Sequence, residues 1–109
     1  MGLNANDLVG PMLGAVKPVL EKFWGEVRDY AETEMPKIAA SLANIDNLYN
    51  AKKINKEQAQ ALLELQKHAT QTVFLTIKGI GLIAAQNAIN AALGAAKTVV
   101  NKSIGFALL

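Results

Sequence analysis

The residue pair with the clearest chemical potential is Glu64 and His68, which stand four positions apart. On a helix this spacing puts both side chains on one face, where together they could hold a metal ion. His68 is the only histidine and the chain has no cysteine, so no further strong ligand exists to complete a site. We therefore predict no metal site and interpret His68 as an exposed or helix-paired side chain.

The sequence also lacks the residue patterns that are typical of a catalytic site. Without cysteine, and with no motif that places a serine beside the histidine, the chain offers no activated nucleophile. The neighbouring carboxylates Asp29, Glu32 and Glu34 have the spacing of an exposed helix face. Gly79-Ile-Gly81 lacks the spacing of a phosphate-binding loop, and no strand precedes it. The sequence therefore predicts no enzyme, no cofactor and no small-molecule substrate.

Charge is distributed unevenly along the chain. All nine acidic residues lie between Asp7 and Glu64, whereas residues 65–109 contain four lysines and no acid. An apolar segment with such a charge is attracted to anionic lipid. A small basic cluster within residues 52–56 has acids nearby and no interleaved aromatic residues, so nucleic acid is not an expected partner.

Small residues recur at four-residue spacing between Lys78 and Lys97, in a segment of eighteen uncharged residues. That length lies at the lower edge for a membrane span, which needs about 20 apolar residues. Small residues at this spacing let two helices approach closely, in membrane or in water. The predicted self-association face consists of Gly81, Ala84, Ala85, Ala88, Ala92, Ala95 and Ala96.

Three carboxamides, Gln86, Asn87 and Asn90, interrupt this segment near its middle. A buried asparagine costs stability unless it is paired, and its best-attested use is to fix helix register and oligomer state. If the helix packs against its symmetry mate, these residues form a buried polar register between copies. The alternative is that they mark the solvent side of the helix.

Helices must position all of these residues. Apolar side chains at steps of three or four predict a first helical arm over residues 16–51. Pro36 lies in the middle of that stripe, which keeps its phase, so we expect a kink there. Residues 1–15 are predicted to be loosely ordered, because Gly10, Pro11 and Gly14 oppose a long helix there.

A turn at residues 52–55 separates the first arm from a second one. Asn55 is a good N-cap, and Gln58 three residues later completes a capping box. The second arm, residues 56–102, contains no proline and would be about 70 Å long as one straight helix. Either it breaks at Gly79-Ile-Gly81 and folds back, or the molecule is elongated and buries itself in an oligomer.

The sequence thus predicts an all-α fold in a single domain, 1–109. We expect a kinked helical hairpin or bundle with a long Gly/Ala-rich C-terminal helix, completed by oligomerisation. The apolar tail, residues 103–109, is expected to dock on a neighbouring subunit or in lipid. In general texture, residues 50–109 are similar to small helical proteins of bacteria and their phages, a likeness that implies no site residues.

The expected function is that of a non-enzymatic, self-associating structural or assembly protein whose partner is another copy of itself. The alternative is a membrane-active protein, pore-forming or holin-like, that acts on an anionic membrane through residues 65–109. The start of the chain lacks a basic stretch followed by an apolar one, so no signal peptide is expected. We expect an intracellular or virion-associated location, with peripheral or integral membrane association under the alternative.

Overall fold

The computed structural model describes residues 3–109, and the part of the chain that it describes is helical with no strand. This confirms the all-α prediction. The elements are α1 (Ala5–Val19), a short 3₁₀ turn (Glu21–Phe23), α2 (Trp24–Asn50), α3 (Lys56–Leu75) and α4 (Leu82–Ile104).

The four helices form one bundle around a shared core. α1 packs against α4 and α2, α3 packs against α2 and less extensively against α4, and α2 also contacts α4. The bundle measures 42 × 22 × 19 Å. The 27 residues of α2 span its full length, because a helix rises 1.5 Å per residue.

The two ends of the bundle differ in what they contain. One end, the tip, holds the α1–α2 junction at residues 19–24 and the α3–α4 connection with its flanks at residues 75–83. The other end, the base, holds the α2–α3 turn at residues 51–55, the start of α1 and the end of α4. Short connections between antiparallel helices produce this arrangement.

Helix α1 occupies most of the segment for which the sequence predicts loose order, residues 1–15. It begins at Ala5 because the Asn4 side chain accepts a hydrogen bond from the Asn6 backbone N–H at 3.0 Å. Leu8, Met12 and further apolar residues at steps of four are buried against the other helices. The glycines and Pro11 lie on the exposed side, where packing against the core outweighs their low helix propensity.

The predicted first arm, residues 16–51, is divided near its start. Leu20, the C-cap of α1, is fully buried. The chain turns around it, with the Phe23 N–H donating to the Leu20 carbonyl at 2.9 Å. From Trp24, α2 continues through Pro36 without interruption. The apolar stripe keeps its phase across that proline, as expected from the sequence.

The capping box that the sequence predicts at the start of α3 is confirmed. The Asn55 side chain accepts from the Gln58 N–H at 2.7 Å, and the Gln58 side chain accepts from the Asn55 N–H at 2.9 Å. Lys52, in the preceding turn, has a left-handed backbone with φ of 61°. These local contacts form the turn between α2 and α3 and start α3.

The second arm breaks at residues 76–81, which is the first of the two outcomes that the sequence left open. Gly79 adopts a φ of 92°, a backbone conformation that L side chains rarely take. Ile77 and Ile80 are buried beneath the connection. Because the chain reverses here, α4 packs in the chain's own bundle instead of extending α3.

The apolar tail docks on its own chain, which corrects the expectation that it would need a neighbouring subunit or lipid. The Asn101 side chain accepts from the Leu109 N–H at 3.0 Å and donates to the Leu109 carbonyl at 3.3 Å. Leu108 is buried, and the ring of Phe106 lies 4.9 Å from that of Tyr49. The left-handed Gly105 ends α4 and turns the tail back to the bundle.

Candidate functional site

The structure divides the predicted self-association face between the core and the surface of the chain. Four of its residues form part of the buried stripe of α4: Ala85, Ala88, Ala92 and Ala96. The others are half-buried or exposed: Ala84, Gly81 and Ala95. The buried alanines let α4 lie close against α1, its most extensive neighbour. Most residues of the predicted face are therefore used to pack the chain's own bundle.

The three carboxamides that the sequence singled out, Gln86, Asn87 and Asn90, are all exposed. Within a single chain they therefore lie on the solvent side of α4. This is the alternative that the sequence offered to a buried polar register. Their burial between two copies stays a prediction.

An uncharged outer face runs along α4. We define the outer face of α4 by residues that recur at steps of three or four on its exposed side: Ile83, Asn87, Ala91, Gly94 and Thr98. Ile83 is 73% exposed. A Cβ placed on Gly94 would meet no atom within 4 Å, so this position opens directly to the surroundings. None of the five residues is charged, and Ala91, Gly94 and Thr98 have small side chains or none.

A polar groove separates α3 from α4, because these two helices pack less extensively than α1 with α4, α1 with α2 or α2 with α3. Two adjoining cavities of ≈ 200 and ≈ 320 Å³ share Glu64, Lys67 and Asn90 in their walls. His68 and Gln86 also line the groove, so tertiary structure brings the sequence-predicted residues of both helices together.

The chemistry of this groove is limited by the pairing of its charged groups. Lys67 Nζ donates to Glu64 Oε1 at 3.1 Å, which satisfies the carboxylate nearest to His68. Among the described residues, no three His, Cys, Asp or Glu side chains come together in a way that could hold a metal ion. The groove therefore presents carboxamides and one ion pair, with no group positioned as a nucleophile.

Two carboxylates of α2, Glu32 and Glu34, form ion pairs with cations of the same helix. Arg28 Nε donates to Glu32 Oε1 at 2.8 Å, and this hydrogen bond and the opposite charge raise the pKa of the Arg28 guanidinium. Glu34 was expected on an exposed face, but it is only 3% exposed and accepts from Lys37 Nζ at 3.0 Å. Glu34 lies on the apolar stripe of α2, and its burial is offset by that ion pair.

Asp46 is a buried charged residue that the sequence analysis did not identify. Its carboxylate is 0% exposed and accepts from the Leu3 N–H at 3.2 Å, from Ser103 Oγ at 3.0 Å and from Asn50 Nδ2 at 3.0 Å. These bonds tie α1, α2 and α4 together at the base. The available signal was its position beside Ile45, where a lone acid follows the apolar stripe of α2.

The tip carries a group of exposed apolar side chains. Val19 ends α1, Leu75 ends α3, and Leu82 with Ile83 begins α4; each of the four is at least 40% exposed. Helix ends that face water usually present polar residues, so this group is a candidate contact surface.

Comparisons of the chain with protein-family models, with curated proteins and with solved structures give no match in any of the three. Within residues 3–109, no helix combines the length and the apolar character that crossing a membrane requires. The outer face of α4, the groove and the tip are thus the surfaces on which a function can be proposed.

Proposed function

We propose that this chain is a non-enzymatic, self-associating structural or assembly protein whose copies meet through the outer face of α4. The observation that carries this proposal is that an exposed helix face bears no charge between Lys78 and Lys97. The exposed face of a helix ordinarily carries charged residues, as Arg28 and Glu32 show on α2. Depletion of charge is typical of the centre of a protein interface.

The dimensions of the bundle fit this proposal. A side of 42 × 22 Å offers roughly 900 Å², comparable with the ~800 Å² per partner that a standard interface buries. Ala91 and Gly94 would let two α4 helices approach closely, and Asn87 and Asn90 would pair across a two-fold axis. The predicted polar register and the exposed remainder of the small-residue face would then share one interface.

The test is the association state of a charged variant of this face. Gly94→Lys adds a long charged side chain where the single chain has open space, and lysine is a better helix former than glycine. We expect analytical ultracentrifugation to show self-association of the wild type, weakened by about tenfold or more in Gly94→Lys, since a buried unpaired charge is costly.

Gly14→Lys is the matched control, because Gly14 is also an exposed helical glycine with no atom within 4 Å of an added Cβ. It lies on α1 and should associate as the wild type does. A wild type that stays a folded monomer at micromolar concentration, or equal losses in the two variants, would contradict the proposal.

A second candidate function, membrane activity through residues 65–109, is favoured by the tip. Leu75, Leu82 and Ile83 all belong to that segment and are exposed, and the segment carries no acid. Exposed apolar residues with basic neighbours are the usual elements of a surface that binds anionic lipid.

A further inference from the structure

The exposed apolar side chains of the tip come from helix ends that lie far apart in the sequence. Val19 belongs to α1, Leu75 to α3, and Leu82 and Ile83 to the first turn of α4. Ile83 is 73% exposed, more than any other large apolar side chain among the described residues. Folding therefore assembles, at one end of the bundle, a surface that no single segment supplies.

This surface is held from beneath by the core. Leu20, Phe74, Ile77 and Ile80 are buried directly behind the helix ends that form the tip. The connection also lies against the α1–α2 junction, since a Cβ on Gly79 would be 3.4 Å from Phe23 Cε1. With the interior already filled, the exposed apolar residues cannot be accommodated inside the chain.

Three lysines and two glutamates lie around the tip. Lys78 lies in the connection between Leu75 and Leu82, and no acid occurs on that side of the tip, because the segment after Glu64 contains none. On the other side, Lys17 and Lys22 are accompanied by Glu21 and Glu26, so the charges there balance. The basic excess is thus concentrated where the apolar residues are most exposed.

The area of the tip favours a lipid surface over a second copy of the chain as its binding partner. An end face of 22 × 19 Å offers roughly 400 Å², about half of the ~800 Å² per partner that a stable protein interface buries. A second copy of the chain meeting this end would therefore form only a weak contact. A lipid surface needs no such area, because each apolar side chain that enters it contributes separately and each lysine adds electrostatic attraction.

We propose that the tip docks onto an anionic membrane surface, with Leu82 and Ile83 entering the interfacial region and Lys78 contacting lipid phosphates. This proposal rests on the second candidate function. Ile83 also lies at one end of the outer face of α4, whereas Leu82 and Lys78 lie outside that face. Trp24 is half-buried at the same end, with Lys17 Nζ 5.9 Å from its ring centroid. Tryptophan favours the interface between lipid and water, so Trp24 would lie close to the headgroups.

The experiment uses the full chain with vesicles of phosphatidylcholine containing one quarter phosphatidylglycerol, and with vesicles of phosphatidylcholine alone. We expect co-flotation with the anionic vesicles only, and a blue shift of the emission of Trp24, the only tryptophan. Ile83→Glu should reduce vesicle affinity by about tenfold or more. An acid in the first turn of α4 suits the helix dipole, so the fold should persist.

Leu65→Glu is the matched control, since Leu65 is 66% exposed but lies on α3 about 15 Å along the helix from its end at the tip. It should bind vesicles as the wild type does. Lys78→Gln, in the exposed connection, should weaken binding by roughly fivefold, the contribution of one lysine near the membrane. Gly94→Lys should still float, which separates docking from self-association.

Three results would overturn the proposal. The first is a folded wild type that does not float with anionic vesicles. The second is an equal loss of binding in Ile83→Glu and Leu65→Glu. The third is a dimer in the absence of lipid that Ile83→Glu disrupts and Gly94→Lys does not, while no vesicle is bound, which would make the tip a protein contact.

Discussion

Among the described residues, Asp46 makes the most side-chain hydrogen bonds to distant parts of the chain. Its buried carboxylate accepts hydrogen bonds from Leu3, just before α1, from Asn50 at the end of α2 and from Ser103 near the end of α4. A buried carboxylate is costly unless donors surround it, and here three donors do. At the base, the relative position of three helices therefore depends on one side chain.

We expect Asp46→Ala to lower the free energy of unfolding by about 3 kcal/mol, because Leu3 N–H, Ser103 Oγ and Asn50 Nδ2 lose their acceptor together. Urea unfolding followed by circular dichroism measures this change. Asp29→Ala is the control: Asp29 is exposed, and its replacement should change stability by less than about 0.5 kcal/mol. Equal effects of the two substitutions would show that Asp46 does not hold the base together.

At the scale of elements, the connection between α3 and α4 depends on two glycines that do different work. Gly79 has a φ of 92° and lies against Phe23, so it needs both the backbone freedom and the small size of glycine. Gly81 is the N-cap of α4, with an extended backbone and no side-chain cap. Other small polar residues could serve at Gly81, since they are equally common N-caps.

We expect Gly79→Ala to lower the free energy of unfolding by about 1 kcal/mol or more, because alanine is strained at this φ. Gly81→Ser should leave stability unchanged or raise it by a few tenths of a kcal/mol, because the hydroxyl would cap α4. Thermal or urea unfolding of both variants provides the measurement. A loss in Gly81→Ser as large as in Gly79→Ala would mean that the break is not specified by the backbone of Gly79.

At the scale of the whole molecule, the break between α3 and α4 decides the shape. A continuous second arm would be about 70 Å long, whereas the folded-back chain is 42 Å long with a radius of gyration of 13.7 Å. Folding back lets α4 cover α1 and α2, so its alanines and the apolar tail are buried without a partner. The bundle therefore has a complete core before any association takes place.

Small-angle X-ray scattering of Gly94→Lys at low concentration should give a particle whose maximum dimension is close to the 42 Å length of the bundle. That variant is chosen because its association is expected to be weakened. A maximum dimension near 70 Å would instead indicate that α3 and α4 join into one helix. The wild type at higher concentration should give a larger particle if copies meet through the outer face of α4.

The sequence by itself determined the features that depend on neighbours within one helical turn. The capping box of Asn55 and Gln58 is a contact between residues three apart, so its pattern is readable directly. The apolar stripe of α2 was equally visible, including its continuation across Pro36. In contrast, α1 was missed because Gly10, Pro11 and Gly14 weigh against a helix locally, and only burial against α2 and α4 outweighs them.

Only the tertiary structure decided what covers the apolar C-terminal segment, residues 65–109. Alanines at four-residue spacing fit any helix that approaches closely, whether it belongs to the same chain or to a copy, so the pattern cannot identify the partner. The choice follows from the reversal at Gly79, which brings α4 back onto α1. The Glu64–His68 pair illustrates the same limit: the sequence placed both on one face, but tertiary structure alone set Gln86 and Asn90 of α4 opposite them.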